Sequence, residues 1–151
     1  KLVTSFDIAK VLALGADWAN SARGFMFSIG CIQAQACHTN HCPVGVATQD
    51  PLRQRALNVT DKSKRVYRFH KNTLKALAEM TGAAGLTHPG SFKPHHLLMR
   101  ESDRDMVTGD EVYPYMPEGF LLREEADDFG YLKRWTRARP EGFEPVDALY
   151  P

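Results

Sequence analysis

All three cysteines of the 151-residue chain lie within twelve consecutive positions, and this clustering constrains the fold more than any other feature. They are Cys31, Cys37 and Cys42, and Pro43 follows the last of them. Isolated cysteines usually fill a hydrophobic core. Thiols gathered among polar residues are instead typical of a loop that binds a soft metal ion or an iron–sulfur cluster. Residues 31–52 are therefore predicted to be a metal-binding loop.

The residues alone leave the identity of the metal open. Three thiols without a fourth suit a cluster of three irons, in which each iron takes one protein sulfur. A structural zinc site needs four ligands, and His38 or His41 could complete a Cys₃His set. However, zinc sites usually contain cysteine pairs separated by two to four residues, and the spacing here is longer. The third alternative is that the cysteines are plain thiols beside ordinary polar histidines.

Composition limits the class of protein. The net charge is +1, which implies no strong attraction to nucleic acid or to a membrane surface. No apolar run reaches the roughly 18–20 residues that span a bilayer. An odd number of cysteines disfavours a closed set of disulfides and favours a reducing, cytoplasmic location. The chain opens at Lys1 without a methionine, which suggests a fragment or a processed product.

The first thirty residues have the order of elements that βα-repeat folds use. Thr4 or Ser5 can cap a helix that Gly15 ends. Residues 16–21 are short and predicted to be a buried strand, and residues 22–24 a tight turn. A brief helix is predicted over residues 25–29.

This glycine-punctuated segment is also a candidate phosphate site. In a (β/α)₈ barrel, the loops after the last two strands and a short extra helix commonly bind phosphate. Backbone N–H groups near Gly24 and Phe25 would face the anion, and the Arg23 guanidinium would add a charge-assisted contact. The alternative is an ordinary turn that carries an exposed arginine. A metal loop beside a phosphate pocket indicates a redox flavoenzyme.

After the loop, a long helix is predicted from Thr60 to Gly82. Its apolar face combines Val66, Phe69, Thr73, Leu74, Leu77 and Met80. Basic residues fill the rest of the helix, and we expect them to form a solvated face: Lys62, Lys64, Arg65, Arg68, Lys71 and Lys75. A short helix is predicted around residues 97–100. Residues 101–151 are predicted to be an irregular tail that wraps another surface.

Four segments resemble a known family. They are Leu-Ala-Leu-Gly-Ala-Asp at 12–17, Ser-Ala-Arg-Gly-Phe-Met at 21–26, Gly-Cys-Ile-Gln-Ala at 30–34, and the run from Cys-His-Thr-Asn to Gln-Asp-Pro at 37–51. Together they are similar to the C-terminal end of the FMN-binding domain of glutamate synthase. They are more similar still to the stand-alone FMN-binding glutamate synthase-like proteins. The similarity extends over about residues 1–99, and the last run is highly specific.

The resemblance implies an α/β fold, the C-terminal portion of a (β/α)₈ TIM barrel. Residues 1–30 would supply its last helix–strand–helix, followed by the iron–sulfur loop at 31–52, a helical extension at 53–100 and the tail at 101–151. The implied cofactors are FMN and a [3Fe–4S] cluster. The implied cluster ligands are Cys31, Cys37 and Cys42, with His38, Thr39 and Asn40 around them. The implied FMN phosphate site includes Ser21, Ala22, Arg23 and Gly24, where the classical enzymes tend to have Gly-Thr in place of Ala22-Arg23.

The activity implied by the resemblance is reductive formation of L-glutamate. Electrons would pass through the cluster to FMN, and hydride would reach the imine that 2-oxoglutarate forms with ammonia or with nitrogen from glutamine. The implied partners are this small substrate, held with the rest of the barrel, and an electron-donor protein or reductase subunit. A complete barrel takes about 200 or more residues. We therefore expect a C-terminal piece that is inactive alone, with no catalytic residue assigned. The alternative is a small zinc-stabilised binding module with a Cys₃His site.

Overall fold

The computed structural model describes residues 1–113, 115–116, 119–122 and 137–143. Its α-helices are α1 (Ser5–Ala13), α2 (Ala22–Ser28), α3 (Pro51–Gln54), α4 (Val59–Ala83) and α5 (Gly109–Val112). Its strands are β1 (Leu98–Arg100) and β2 (Met106–Thr108), and 3₁₀ turns cover Pro89–Ser91, Pro94–His96 and Phe120–Leu122. The chain divides into two units, residues 1–109 and 110–151. The candidate site lies in the first. In the second, the described residues include the last 3₁₀ turn and a bridge between Arg139 and Gly142.

A capping box starts helix α1 at Thr4. The Asp7 N–H donates to Thr4 Oγ1 at 3.1 Å, and the Asp7 carboxylate accepts from the backbone N–H groups of Thr4 at 2.9 Å and Val3 at 3.0 Å. These bonds satisfy donors that a helix start leaves unpaired. The helix ends at Ala13 with Leu14 as its C-cap, and Gly15 follows with φ +98°, a conformation that glycine adopts without strain. The predicted helix is confirmed.

Small residues let α1 pack closely against α4. Ser5, Ala9 and Ala13 are buried, and their spacing of four places them on one face of α1. Leu77 of α4 joins the two alanines in the core, together with Phe92 and Leu97. The Ser5 hydroxyl donates to the Thr73 carbonyl of α4 at 2.8 Å.

The buried strand predicted over residues 16–21 is wrong in this structure. The segment has no helical structure, but it joins no sheet, and Trp18 is 75% exposed. A strand is defined by the ladder that it shares with a neighbour. Among the described residues β1 and β2 pair only with each other, so residues 16–21 have no strand beside them.

The predicted turn at residues 22–24 is also wrong, because these residues form the first turn of α2. Alanine and arginine are good helix formers, so the single glycine does not break the helix. Gly24 instead allows close packing: a Cβ there would lie 2.7 Å from Ser21 Oγ and 2.9 Å from Phe69 Cζ of α4. The next residue, Phe25, packs edge-on against Phe69 with ring centroids 5.3 Å apart. This contact fixes α2 on α4.

The long helix α4 begins within a residue of the predicted start. Asn58 caps it by accepting from the Asp61 N–H at 3.0 Å. Leu77 of the predicted apolar face is buried, whereas Leu74 is 50% exposed. In the part of the chain that the structure describes, no helix is both long and apolar enough to cross a bilayer.

A hairpin replaces the short helix predicted around residues 97–100. Strand β1 pairs antiparallel with β2, with Met99 opposite Val107. The connection is held by the Ser102 hydroxyl, which donates to the Asp105 carboxylate at 2.6 Å. Serine and aspartate favour turns because their side chains bond to the nearby backbone, and this turn outweighs the local helical pattern. Predictions for residues 114, 117–118, 123–136 and 144–151 lie outside the described residues.

We predict that Gly24→Ala lowers the free energy of unfolding by about 1–3 kcal/mol, because the added methyl group must push α2 away from Phe69. Gly82→Ala is the matched control. It is also a helical glycine, but a Cβ there meets nothing within 4 Å, so we expect stabilisation by about 0.5–1 kcal/mol. Urea unfolding of the full chain, followed by circular dichroism, measures both. Equal stability of the two variants would contradict the packing argument.

The capping box also predicts a pH dependence. Hydrogen bonds from the Thr4 backbone, the Val3 backbone and the Thr4 hydroxyl lower the pKa of Asp7 from 3.8 to about 2. A carboxyl group whose pKa is lowered by folding stabilises the folded state at pH values above its ordinary pKa of 3.8. This stabilisation is lost as the pH falls to about 2. Asp7→Asn should therefore destabilise the chain at neutral pH and have little effect near pH 2. Asp17→Asn, at an exposed carboxylate, is the control in thermal unfolding at both pH values.

Candidate cofactor site

The cysteine loop has no regular structure between α2 and α3. Three of its non-glycine residues have left-handed backbones: Gln33 and Gln35 at φ +57° and Asn40 at φ +66°. Asparagine tolerates this conformation better than glutamine does. Residues 32–35 make no hydrogen bond among the described residues. The first part of the loop is therefore held less firmly than the part that follows.

Asn40 closes the second part of the loop into a ring. Its side-chain oxygen accepts from the Gln49 N–H at 2.6 Å, and its carbonyl accepts from the Thr48 hydroxyl at 2.6 Å. The Gln54 amide of α3 donates to the Thr48 carbonyl at 2.8 Å. The hydroxyl of Thr39, which directly precedes Asn40, donates to the Ala36 carbonyl at 2.8 Å. Thr39 and Asn40 thus hold the loop backbone, and His38 is exposed.

Backbone N–H groups of the turn that follows Cys42 lower the pKa of its thiol. Those of Ala47 and Val44 lower its pKa most, and those of Val46 and Gly45 add to the effect, while burial acts in the opposite direction. A lowered pKa favours the thiolate, which is the form of cysteine that reacts and that binds metal ions. Gly45 makes this arrangement possible, because its φ is +74° and a Cβ would collide with the Arg53 carbonyl oxygen. Sequence reasoning missed these donors, although the Pro43-x-Gly45 turn after a cysteine was a signal.

The structure places the three cysteines on one loop without gathering them. All are free thiols: Cys31 is half-buried, Cys37 exposed and Cys42 buried. Within the described ranges, no three histidine, cysteine, aspartate or glutamate side chains lie close enough to hold a metal ion. The histidines predicted as alternative ligands, His38 and His41, are both exposed.

One pocket joins the predicted phosphate residues to the cysteine loop. Ala22, Arg23 and Met26 of α2 line it together with Cys37, and the other lining residues are Lys1, Leu2 and Asn20. Its volume is about 360 Å³. Two cationic side chains at the pocket, Lys1 and Arg23, make it suitable for an anion.

The remaining two predicted phosphate residues do not line this pocket. The Ser21 hydroxyl donates to the Leu2 carbonyl at 2.9 Å, and Gly24 is buried against Phe69. The first backbone donor bonded within α2 is Phe25, whose N–H reaches the Ser21 carbonyl at 3.3 Å. The N–H groups of residues 22–24 have no acceptor among the described residues, as is usual at a helix start.

A second cleft, of about 290 Å³, lies between α1, α2 and α4. Trp18, Phe25 and Phe69 give it an aromatic lining, and His70 and His88 lie at its edge. No sequence pattern predicted this cleft, because its residues come from four separate segments of the chain. Residues 17–19 and 21 belong to its lining.

The chain matches the family model described as the conserved region in glutamate synthase over residues 1–87. It belongs to the glutamate synthase family. A glutamate synthase large subunit-like protein, YerD of Bacillus subtilis, is 46% identical over 112 residues, which are 74% of this chain and 21% of that protein. The resemblance found in the sequence is thereby confirmed at the level of the family.

Two further members of the glutamate synthase family are more distant. The archaeal glutamate synthase [NADPH] of Archaeoglobus fulgidus is 34% identical over 96 residues, 64% of this chain and 19% of that protein. The ferredoxin-dependent glutamate synthase of Pyropia yezoensis is 34% identical over 107 residues, 70% of this chain and 7% of that protein. The chain spans about a fifth or less of the length of these relatives. No solved structure matches it.

We predict that Cys42 titrates below the ordinary thiol range. The test is the pH dependence of thiolate absorbance in a variant that keeps only this cysteine, Cys31→Ser with Cys37→Ser. Adding Gly45→Ala should raise the midpoint, because the collision with Arg53 displaces the N–H groups around the sulfur. An unchanged midpoint after Gly45→Ala, or an ordinary midpoint before it, would contradict the proposed stabilisation of the thiolate.

Proposed function

We propose that this chain is the C-terminal part of the (β/α)₈ barrel of a glutamate synthase-like oxidoreductase. In this proposal it contributes the ligand loop of a [3Fe–4S] cluster and one wall of the FMN phosphate site. The observation that carries the proposal is the pocket that Arg23 and Ala22 share with Cys37. Family membership supports it independently.

The phosphate end of FMN fits the start of α2. The Arg23 guanidinium and the N–H groups of Ala22 and Arg23 would bind the phosphate oxygens. The Ala22 methyl group occupies a position where glycine would let the backbone come closer. Arg23 therefore provides the main attraction by its charge, and the N–H groups orient the phosphate.

The donor set fits an iron–sulfur cluster. Cys31, Cys37 and Cys42 offer one free thiol for each of three irons, and Cys42 already lies among N–H donors of the kind that tune cluster potentials. Binding would require Cys31 and Cys37 to move toward Cys42. When bound, FMN and the cluster supply the redox chemistry, and the protein supplies placement and electrostatics.

Residues 16–21, which lie outside any helix or strand here, are proposed to form the last barrel strand in the complete protein. Residues 17–20 have no backbone hydrogen bond among the described residues, so their donors and acceptors are available to neighbouring strands. Trp18, exposed here, would then be covered by the rest of the barrel. The zinc-stabilised module lacks such support, because the family match points to glutamate synthase.

The proposed reaction is reductive synthesis of L-glutamate. 2-Oxoglutarate condenses with ammonia, or with nitrogen derived from glutamine, to an imine and water; two electrons and two protons then give glutamate. The names of the relatives include NADPH and ferredoxin as electron sources. We accordingly propose an electron-donor protein or reductase subunit as partner. The substrate-binding residues are placed in the rest of the barrel, so the chain alone is expected to be inactive.

We predict that the full 151-residue chain binds iron and sulfide under anaerobic conditions through its three cysteines. Cys31→Ser, Cys37→Ser and Cys42→Ser should each lose most of the bound iron and the visible absorbance, because each removes the protein ligand of one iron. His38→Ala and His41→Ala are the matched controls and should keep both. Iron analysis, absorption and electron paramagnetic resonance measure the outcome, and circular dichroism confirms the helix content of each variant.

Two outcomes would contradict this assignment. Stoichiometric zinc that is lost with a histidine substitution would indicate a Cys₃His site. Iron binding that survives all three cysteine substitutions would show that the loop is not the ligand.

A further inference from the structure

Four cations form a line along the exposed face of α4. Lys64, Arg68, Lys71 and Lys75 follow one another at intervals of four, three and four residues, which places them on one side of the helix. All four are exposed. At 1.5 Å per residue the line is about 16 Å long. We call these four residues the basic stripe.

The basic stripe lies opposite the face by which α4 packs. Phe69 packs against Phe25 of α2, the Thr73 carbonyl bonds to Ser5 of α1, and Leu77 is buried in the core. By helical geometry these three residues lie roughly 130–170° around the axis from the centre of the stripe. The stripe is therefore accessible while the helix keeps all these contacts.

The charges of the basic stripe are mostly unbalanced. Only Lys75 has an ion pair, to Glu79 at 3.7 Å, and among the described residues Lys64, Arg68 and Lys71 have neither an ion pair nor a side-chain hydrogen bond. Like charges three or four residues apart repel and destabilise a helix. A helix face that needed only to be solvated would be more stable if positive and negative side chains alternated along it. In the described part of the chain, the Lys75–Glu79 pair is the one ion pair that offsets this repulsion.

The helix that carries the basic stripe also contacts the start of the cysteine loop. The Lys62 ammonium lies near Gly30, where a Cβ would be 3.4 Å from Nζ, and Gly30 directly precedes Cys31. The stripe begins two residues after Lys62. A protein bound along the stripe would thus lie on the helix whose first turns support the proposed cluster loop.

We propose that the basic stripe docks the carboxylate-rich face of the electron-donor protein; this inference rests on the proposed function and assigns its partner to a surface. Opposite charges along a 16 Å line would steer association and fix the orientation of the partner. A protein fits better than a nucleic acid. The acidic residues Asp61 and Glu79 lie just beyond the two ends of the stripe. They would repel the phosphates of a nucleic acid, whose negative backbone continues past the stripe in both directions.

The test compares two variants of the full chain with equal net charge. The stripe variant is Lys64→Gln, Arg68→Gln and Lys71→Gln. The control variant is Lys10→Gln, Lys93→Gln and Arg104→Gln, three exposed cations outside the stripe. The probe is a small [2Fe–2S] ferredoxin with an acidic surface, titrated calorimetrically at low and at increasing salt.

We expect the stripe variant to bind the probe about tenfold more weakly than wild type, and the control variant within about twofold of it. Binding of wild type should weaken as salt rises. Equal losses in both variants, or no binding of wild type at low salt, would overturn the proposal. A short DNA duplex that binds more tightly than ferredoxin and depends on the stripe would also overturn it, in favour of nucleic acid.

The chain's own acids are a further test. Glu124, Glu125, Asp127 and Asp128 lie outside the described residues. Converting them to amides should leave ferredoxin binding unchanged. A large gain in ferredoxin binding would show that the chain itself occupies the stripe.

Iron reconstitution separates the docking proposal from the proposed cluster ligands. A stripe variant that no longer binds ferredoxin but still binds iron and sulfide supports docking at the basic stripe. Cysteine variants that lose iron and sulfide but still bind ferredoxin support the three cysteines as ligands, whatever the outcome for docking.

Discussion

The close approach of Gly24 to Phe69 is the constraint on which the candidate site depends. It lets the first turn of α2 lie directly on α4, and the edge-on contact of Phe25 with Phe69 extends this packing. The position of α2 sets where Arg23 opens toward the pocket and where the chain leaves the helix to reach Cys31. One missing side chain thus determines the geometry of both the start of α2 and the start of the cysteine loop.

The two halves of the site are stabilised by different forces. Helices α1, α2 and α4 are held by apolar packing, with small residues such as Ala9 and Ala13 at the closest approaches. The cysteine loop has almost no apolar core and is held by side chains that bond to its own backbone, above all Asn40. This loop leaves Cys37 exposed and Cys31 half-buried, whereas Cys42 is buried.

The sequence predicts the features that local signals determine. Helices α1 and α4 have capping residues and a helical period, and both formed close to the predicted bounds. The errors arose where the outcome depends on distant residues. Gly24 suggested a turn, but its role is contact with Phe69, forty-five residues later in the chain. Residues 16–21 suggested a strand, but a strand needs a neighbour. The N–H groups that act on Cys42 depend on the left-handed backbone at Gly45, and the Pro43-x-Gly45 pattern was the signal for it that sequence reasoning missed.

The ring closed by Asn40 has a consequence for the order in which a metal site could assemble. Cys42 lies inside the ring, so its position is fixed before any ligand arrives, whereas residues 32–35, between Cys31 and Cys37, have no hydrogen bonds. Fixing a backbone residue costs about 1–2 kcal/mol in conformational entropy. Most of the entropy cost of ordering the loop would therefore fall on residues 32–35. In the proposed cluster, Cys42 would bind the first iron, and the other two thiols would then close around it.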